Sequence, residues 1–175
     1  MTLAPSAPPP RLAIVVSRFN PEVTGGLLRG ARAWLAEQGA PASDDDIIEA
    51  SGAFELPLIA QTLAQTGRYD GVVCLGCVIK GDTAHFEFIS LGVSVGLMSG
   101  ALATGTPIAF GVLTTYTDEQ AEARSADDGH NKGREAAAAC LETALTLRRI
   151  RAPDRGASGE RPAAPSPAMN GMSAG

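Results

Sequence analysis

Residues 71–87 read GVVCLGCVIKGDTAHFE, an apolar run that passes directly into a turn of glycine, hydroxyl and charged residues. The apolar run, residues 71–78, predicts a strand buried on both faces, because it is short and does not alternate with polar residues. A long helix is predicted to follow at residues 86–104. A strand that leads through a glycine turn into a helix is the repeating unit of a parallel sheet.

The same order of strand and helix recurs along the rest of the chain. The other predicted strands are residues 12–16, 46–50 and 108–113, and the other predicted helices are residues 21–38, 55–66, 118–126 and 132–150. Asn20 is expected to cap the first helix, with Pro21 at its first position and Gly39 at its end. Four such units indicate a three-layer α/β sandwich, in which helices cover both faces of a four-stranded parallel sheet.

Composition limits the class of protein. The chain has 175 residues, 45% hydrophobic content and a formal net charge of −5, which suits one domain with a core and no nucleic-acid partner. We find no signal peptide and no apolar run long enough to cross a bilayer, so we expect a cytoplasmic protein without a membrane contact. The domain should span residues 11–150, between a proline-rich arm, residues 1–10, and a disordered tail, residues 151–175.

The three cysteines are Cys74, Cys77 and Cys140. The first two form a C-x-x-C pair, which could indicate a redox or metal site. Side chains alternate between the faces of a strand, so residues three apart point in opposite directions. We therefore interpret the cysteines as small core residues and expect no metal.

Unusual residues follow each predicted strand. They are residues 17–20 (SRFN), 51–57 (SGAFELP), 79–87 (IKGDTAHFE) and 113–115 (LTT). Ligands of open parallel sheets bind beyond the carboxyl ends of the strands. The sequence therefore predicts one pocket at this edge of the sheet.

Each candidate ring and carboxylate has an alternative interpretation. Phe19 could stack on a planar ring or cap the core. Phe54 is expected to pack under the second helix, with its backbone facing the pocket. Glu55 could complement the positive end of that helix or accept hydrogen bonds from a polar substrate.

The turn after the third strand suits an anion and a proton transfer. Residues 81–83 (GDT) can present backbone N–H groups and a hydroxyl at a helix start. His85 is either a residue of the helix terminus or a catalytic group, because imidazole changes charge near neutral pH. Arg124 could bind phosphate through its guanidinium group, and Lys132 could assist, although both could instead face water.

Taken together, these motifs resemble the 6,7-dimethyl-8-ribityllumazine synthase family. The resemblance runs from about Arg11 to Ile150 and rests on residues 17–20, 52–57, 76–87, 110–115 and 131–133. It implies a flavodoxin-like sheet and a transferase of riboflavin biosynthesis that needs no cofactor. The implied reaction condenses 5-amino-6-(D-ribitylamino)uracil with 3,4-dihydroxy-2-butanone 4-phosphate, releasing phosphate and water.

The resemblance also implies the role of each site residue. His85 would transfer protons. The aminouracil would contact Phe19, Ala53, Phe54, Glu55, Cys77, Val78, Ile79 and Phe110. The butanone phosphate would contact Asp82, Thr83 and Arg124, with Gly81 and Lys132 in support.

Members of this family form homo-oligomers, either pentamers or icosahedral shells of twelve pentamers, with sites between neighbouring subunits. Phe110 is the expected contributor across that boundary. Prolines in the arm cannot donate a full ladder of hydrogen bonds, so we predict a free pentamer. Functional coupling to riboflavin synthase is a further expectation.

Two other functions remain open: a flavin- or nucleotide-binding module on the same fold, and a shell protein or paralogue that has lost catalysis. The presence of both His85 and Arg124 favours the enzyme.

Overall fold

A computed structural model describes residues 8–152. Most of the predicted arm and tail, residues 1–7 and 153–175, lie outside the described residues. The strands are β1 (Leu12–Ser17), β2 (Ile47–Ala50), β3 (Gly71–Ile79) and β4 (Ile108–Thr115). The helices are α1 (Pro21–Glu37), α2 (Leu56–Gln65), α3 (His85–Thr104), α4 (Asp118–Ser125) and α5 (Lys132–Arg151). Every predicted strand and helix is present, with ends that differ by at most two residues.

The four strands form one parallel sheet in the order β2-β1-β3-β4. This is the order of flavodoxin-like sheets, and it confirms the predicted fold class. Strands β1 and β3 are central and almost wholly buried, whereas β2 and β4 form the two edges. Strands lie about 4.8 Å apart, so the two edges are separated by about 14 Å.

Alternating side chains of the central strands build a separate core on each face of the sheet. Ile14 and Leu75 pack with α1, α4 and α5 on one face, and Val15 and Val72 pack with α2 and α3 on the other. Residues of β1 and β3 are therefore apolar on both sides, as burial under two helical layers requires.

The C-x-x-C cysteines point into different cores, as predicted. Cys74 lies in the core under α2 and α3, and Cys77 lies in the core under α1. Burial raises the pKa of Cys77 to about 11, with a further increase from Asp118, although a hydrogen bond with Asn20 opposes it. Burial likewise raises the pKa of Cys74. These thiols remain protonated near neutral pH and serve as core residues.

Helix α3 packs closely on α2 through small residues. A Cβ on Gly96 would lie 2.8 Å from Cβ of Pro57, and one on Gly100 would lie 3.4 Å from Cβ of Gln61. Since no larger side chain separates them, the helices approach closely. Only Val93, Leu97 and Gly100 of α3 are buried.

The opposite face of α3 is an apolar stripe open to solvent. Its large side chains are spaced three and four residues apart, and between 56% and 78% of their surface is exposed: Phe88, Leu91, Val95, Met98 and Leu102. By length and composition, α3 could cross a membrane. The expectation that no apolar run is long enough for this was therefore wrong. Such a helix is weak evidence for a membrane span, because a helix covered by other subunits meets the same criteria.

At the amino ends of the strands, ion pairs and hydrogen bonds connect the two ends of the described chain. Arg148 donates to Asp70 Oδ2 at 2.7 Å and to the carbonyl oxygen of Pro8 at 2.8 Å. The backbone N–H of Arg11 donates to the same Asp70 carboxylate at 2.8 Å. The predicted pocket lies at the other end of the strands, their carboxyl end, so these contacts are far from it.

Candidate active site

The turn between β1 and α1 presents Phe19 to solvent, with 68% of its surface exposed. Asn20 occupies the predicted N-cap position but does not cap α1 with its side chain. It adopts a left-handed conformation, with φ of 56°, and its Nδ2 donates to the carbonyl oxygen of Cys77 at 3.1 Å. Asn20 therefore links the end of β1 to the end of β3, and fixes the turn that carries Phe19.

The segment after β2 forms a single 3₁₀ turn, Ala53–Glu55, before α2. Ala53 is buried, whereas Phe54 is 59% exposed and its ring edge lies against Gly92 of α3. The expectation that Phe54 packs under α2 was therefore wrong for most of the ring. Glu55 is exposed at the N-terminus of α2, where both of its interpretations still hold.

The segment after β3 carries most of the candidate residues. Cys77 is buried, Val78 and Ile79 are half-buried, and residues 81–83 form an exposed turn. His85 is the first residue of α3, and its backbone N–H donates to Thr83 Oγ1 at 3.4 Å. The residue before it, Ala84, has no side-chain acceptor to cap the first-turn N–H groups of α3. Apart from the N–H of His85, these groups have no cap from the Ala84 side chain, and a helix N-terminus of this kind suits an anion.

Lys80 anchors this turn, which the sequence did not predict. Its backbone N–H donates to the carbonyl oxygen of Thr115 at 2.9 Å, and its Nζ lies 2.8 Å from Glu87 Oε1. The same ammonium group lies 5.7 Å from the ring centres of Phe86 and Tyr116. The hydrogen bond raises the pKa of Lys80 and lowers that of Glu87. The turn is thus held to both β4 and α3.

Phe110, Arg124 and Lys132 line a groove of about 430 Å³ along the free edge of β4. Phe110 is the third residue of β4 and pairs in register with Cys74. It therefore lies about 16 Å along the strand from the carboxyl end at Thr115. The prediction of a single pocket at the four strand ends stays a prediction, since the groove that these three residues line also includes residues 113–115 at the end of β4.

The groove is lined by two cations that already have partners. Arg124 donates from Nη1 to the carbonyl oxygen of Gln120 at 2.9 Å. Lys132 Nζ lies 2.7 and 2.8 Å from the two carboxylate oxygens of Glu135. Sequence reasoning missed Glu135, although its position three residues after Lys132 on a helix is the spacing of such pairs.

The candidate residues thus form two sets. The carboxyl-end set consists of Phe19, Ala53, Phe54, Glu55, Cys77, Val78, Ile79, Gly81, Asp82, Thr83 and His85. The β4-edge set consists of Phe110, Arg124 and Lys132. The first offers aromatic rings, an imidazole and an open helix terminus, and the second offers an aromatic ring and two cations. Within residues 8–152, no cluster of three or more His, Cys, Asp or Glu residues could hold a metal ion.

Fold and chemistry together define a flavodoxin-like enzyme suited to a planar ring and an anionic substrate. The family model described as 6,7-dimethyl-8-ribityllumazine synthase matches residues 9–148. The chain therefore belongs to the 6,7-dimethyl-8-ribityllumazine synthase family, which confirms the predicted family and its transferase activity in riboflavin biosynthesis.

Three relatives agree with this assignment. The chain is 76% identical over 143 residues to 6,7-dimethyl-8-ribityllumazine synthase 1 of Caulobacter vibrioides, covering 82% of this chain and 94% of the relative. It is 45% identical over 140 residues to 6,7-dimethyl-8-ribityllumazine synthase of Deinococcus radiodurans, covering 80% and 90%. It is 47% identical over 140 residues to the synthase of the same name in Lactiplantibacillus plantarum, covering 80% and 88%.

Proposed function

We propose that this enzyme builds each active site from two copies of the chain, the carboxyl-end set of one and the β4-edge set of the next. The observation that carries the proposal is the position of Arg124 and Lys132. They line the groove along the free edge of β4 together with Phe110, the third residue of that strand, whereas His85 follows the neighbouring strand β3. This position supports a site that takes the two sets from two copies.

The reaction is the family's condensation of 5-amino-6-(D-ribitylamino)uracil with 3,4-dihydroxy-2-butanone 4-phosphate. The primary amine of the pyrimidine attacks the ketone and forms an imine with loss of water. Phosphate then leaves, the ring closes, and a second water is lost. Each step moves protons and none transfers electrons to an external acceptor, so acid/base groups and an anion site suffice.

In the proposed site, the carboxyl-end set binds the pyrimidine and transfers protons. Phe19 is exposed enough to stack on the ring, and Phe54 and Glu55 follow β2, the strand next to β1. His85 is exposed at the start of α3, where it can act as general acid and base. The open N-terminus of α3, with Thr83 beside it, receives the phosphate.

The β4-edge set of the neighbouring copy closes the site in this proposal. Arg124 and Lys132 face the departing phosphate and stabilise its charge, and Phe110 adds an aromatic wall for the pyrimidine. Holding the two substrates together supplies much of the remaining acceleration.

The proposed assembly is a free pentamer in the cytoplasm. The apolar stripe of α3 supports a contact between copies, because side chains spaced three and four residues apart form the seam of packed helices. Exposed apolar patches of this kind mark interaction surfaces. Functional coupling to riboflavin synthase, which would consume the product, is part of the same proposal.

A complementation experiment tests the shared site. Chains with His85→Ala and chains with Arg124→Ala are each expected to have low turnover alone. The two are unfolded, mixed in equal amounts and refolded together. If a site takes His85 from one copy and Arg124 from the next, about one quarter of the sites in a head-to-tail ring are intact, and about a quarter of wild-type turnover returns.

A matched mixture controls for nonspecific rescue. His85→Ala and Phe19→Ala change the same set, so no site in their mixed assembly is intact and turnover should not return. Absence of recovery in the first mixture, with mixed assembly shown by native mass spectrometry, refutes the shared site.

A further inference from the structure

Asn131 is wholly buried and joins three helices through its side chain. Its Nδ2 donates to the carbonyl oxygens of Gly26, Ser125 and Ala126 at 3.1, 2.9 and 2.8 Å. Its Oδ1 accepts from the backbone N–H groups of Gly133 and Arg134 at 2.8 and 3.3 Å. A buried amide with both ends satisfied acts as a rigid link, because breaking any part of it leaves an unpaired group.

The backbone around Asn131 is also closely packed. A Cβ on Gly30 would collide with the Asn131 side chain, and one on Gly26 would collide with the carbonyl group of Ser125. A Cβ on Gly133 would collide with the carbonyl group of Leu27. Helix α1 therefore serves as a platform on which the end of α4 and the start of α5 meet.

The two ends that meet here carry the two cations of the groove. Arg124 directly precedes Ser125, whose carbonyl oxygen accepts from Asn131, and Lys132 directly follows Asn131. Arg124 and Lys132 line the same groove. The position of one cation relative to the other therefore depends on the Asn131 link.

We propose that Asn131 is a positioning residue for phosphate recognition, which holds Arg124 and Lys132 at the separation needed to bind one phosphate group. The proposal rests on the roles proposed above for these two cations. Asn131 does not touch the substrate, and acts through the residues on either side of its hydrogen bonds.

The variant Asn131→Asp tests this role. Aspartate keeps the acceptor that caps α5, and is as good an N-cap as asparagine. It loses the donor to the α4 carbonyl oxygens and places an oxygen against them. A displacement of about 1 Å can cost about 100-fold, so we expect the KM for the butanone phosphate to rise about 10-fold or more, while that for the pyrimidine stays within about twofold.

Two further variants separate positioning from stability and from the proposed function. Leu63→Ala truncates a buried side chain of α2 on the other face of the sheet, and serves as the control for a general loss of stability. Equal effects of Asn131→Asp and Leu63→Ala on both KM values overturn the role of Asn131. If Arg124→Ala leaves the KM for the butanone phosphate unchanged, Arg124 does not bind the phosphate. Both the proposed phosphate site and the role of Asn131 are then refuted.

A measurement on the wild-type enzyme covers the case in which Asn131→Asp does not fold. A phosphate that bridges two cations must stabilise the link between them, because coupling between binding and positioning is reciprocal. Saturating inorganic phosphate should therefore slow amide hydrogen exchange in residues 125–134, and should not do so in Arg124→Ala. Unchanged exchange in the wild type overturns the proposal.

Discussion

Replacing Leu91 with glutamate should separate the copies of the chain. Leu91 lies in the apolar stripe of α3, and 65% of its surface is exposed in the single chain. Full burial of a leucine contributes about 1.5–3 kcal/mol, so covering the exposed part contributes about 1–2 kcal/mol at each interface. Glutamate removes this contribution and adds the cost of burying an unpaired carboxylate.

The expected loss is about 3 kcal/mol or more per interface, which corresponds to about 100-fold in dissociation constant. Sedimentation velocity at micromolar concentration measures the effect, since one chain has a mass of 17.9 kDa and a pentamer five times that. We expect the wild type to sediment as the pentamer and Leu91→Glu to shift toward the single chain.

Leu58→Glu is the matched control, because Leu58 lies on α2 outside the stripe with 73% of its surface exposed. It introduces the same charge on a comparable exposed leucine and should leave the assembly intact. The reasoning fails if Leu91→Glu sediments like the wild type, or if both variants dissociate to the same extent. A shell-sized particle in the wild type would contradict the free pentamer but not the role of the stripe.

Two other predictions concern the site and the core. His85→Ala should lower turnover about 100-fold or more with the assembly intact, since general acid/base catalysis is typically worth that much, and unchanged turnover would refute the assigned role. Burial raises the pKa of Asp46, but hydrogen bonds from Ser43 and Arg11 outweigh it and leave that pKa below its ordinary value. Its ionised form thus stabilises the fold at pH values above the ordinary pKa, and the contribution is lost as the pH falls through the lowered pKa. Between pH 7 and 3 the melting temperature should fall more steeply in the wild type than in Asp46→Asn; parallel curves would show that this carboxylate does not matter.

Local sequence signals were enough to place the helices and strands. Pro21 and Gly39 mark the two ends of the first helix, and Gly39 adopts the left-handed conformation expected there, with φ of 73°. Side chains alternate between the two faces of β3, and this alternation correctly predicted that Cys74 and Cys77 lie in opposite cores. These features depend on neighbouring residues, which is why a single sequence predicts them.

Features that depend on contacts between distant segments could not be predicted. Asn20 is a residue type that commonly caps helices, but its side chain instead donates a hydrogen bond to the carbonyl oxygen of Cys77. The half-exposed position of Phe110 along the free edge of β4 also follows from the strand order, which places β3 on only one side of β4. The exposed stripe of α3 was likewise hidden, since an apolar helix gives no sign of which face its own chain covers.

The contact between Arg148 and Pro8 has a consequence for engineering the chain. The last turn of α5 lies beside the first described residue, so a short linker could join residues 8 and 152 and allow circular permutation. New termini could open at the exposed turn around Gly67, between α2 and β3. This turn precedes β3, at the amino ends of the strands, whereas His85 follows β3 at the carboxyl end. New termini at this turn would therefore leave the region of His85 unobstructed. The same holds for a cargo protein fused there.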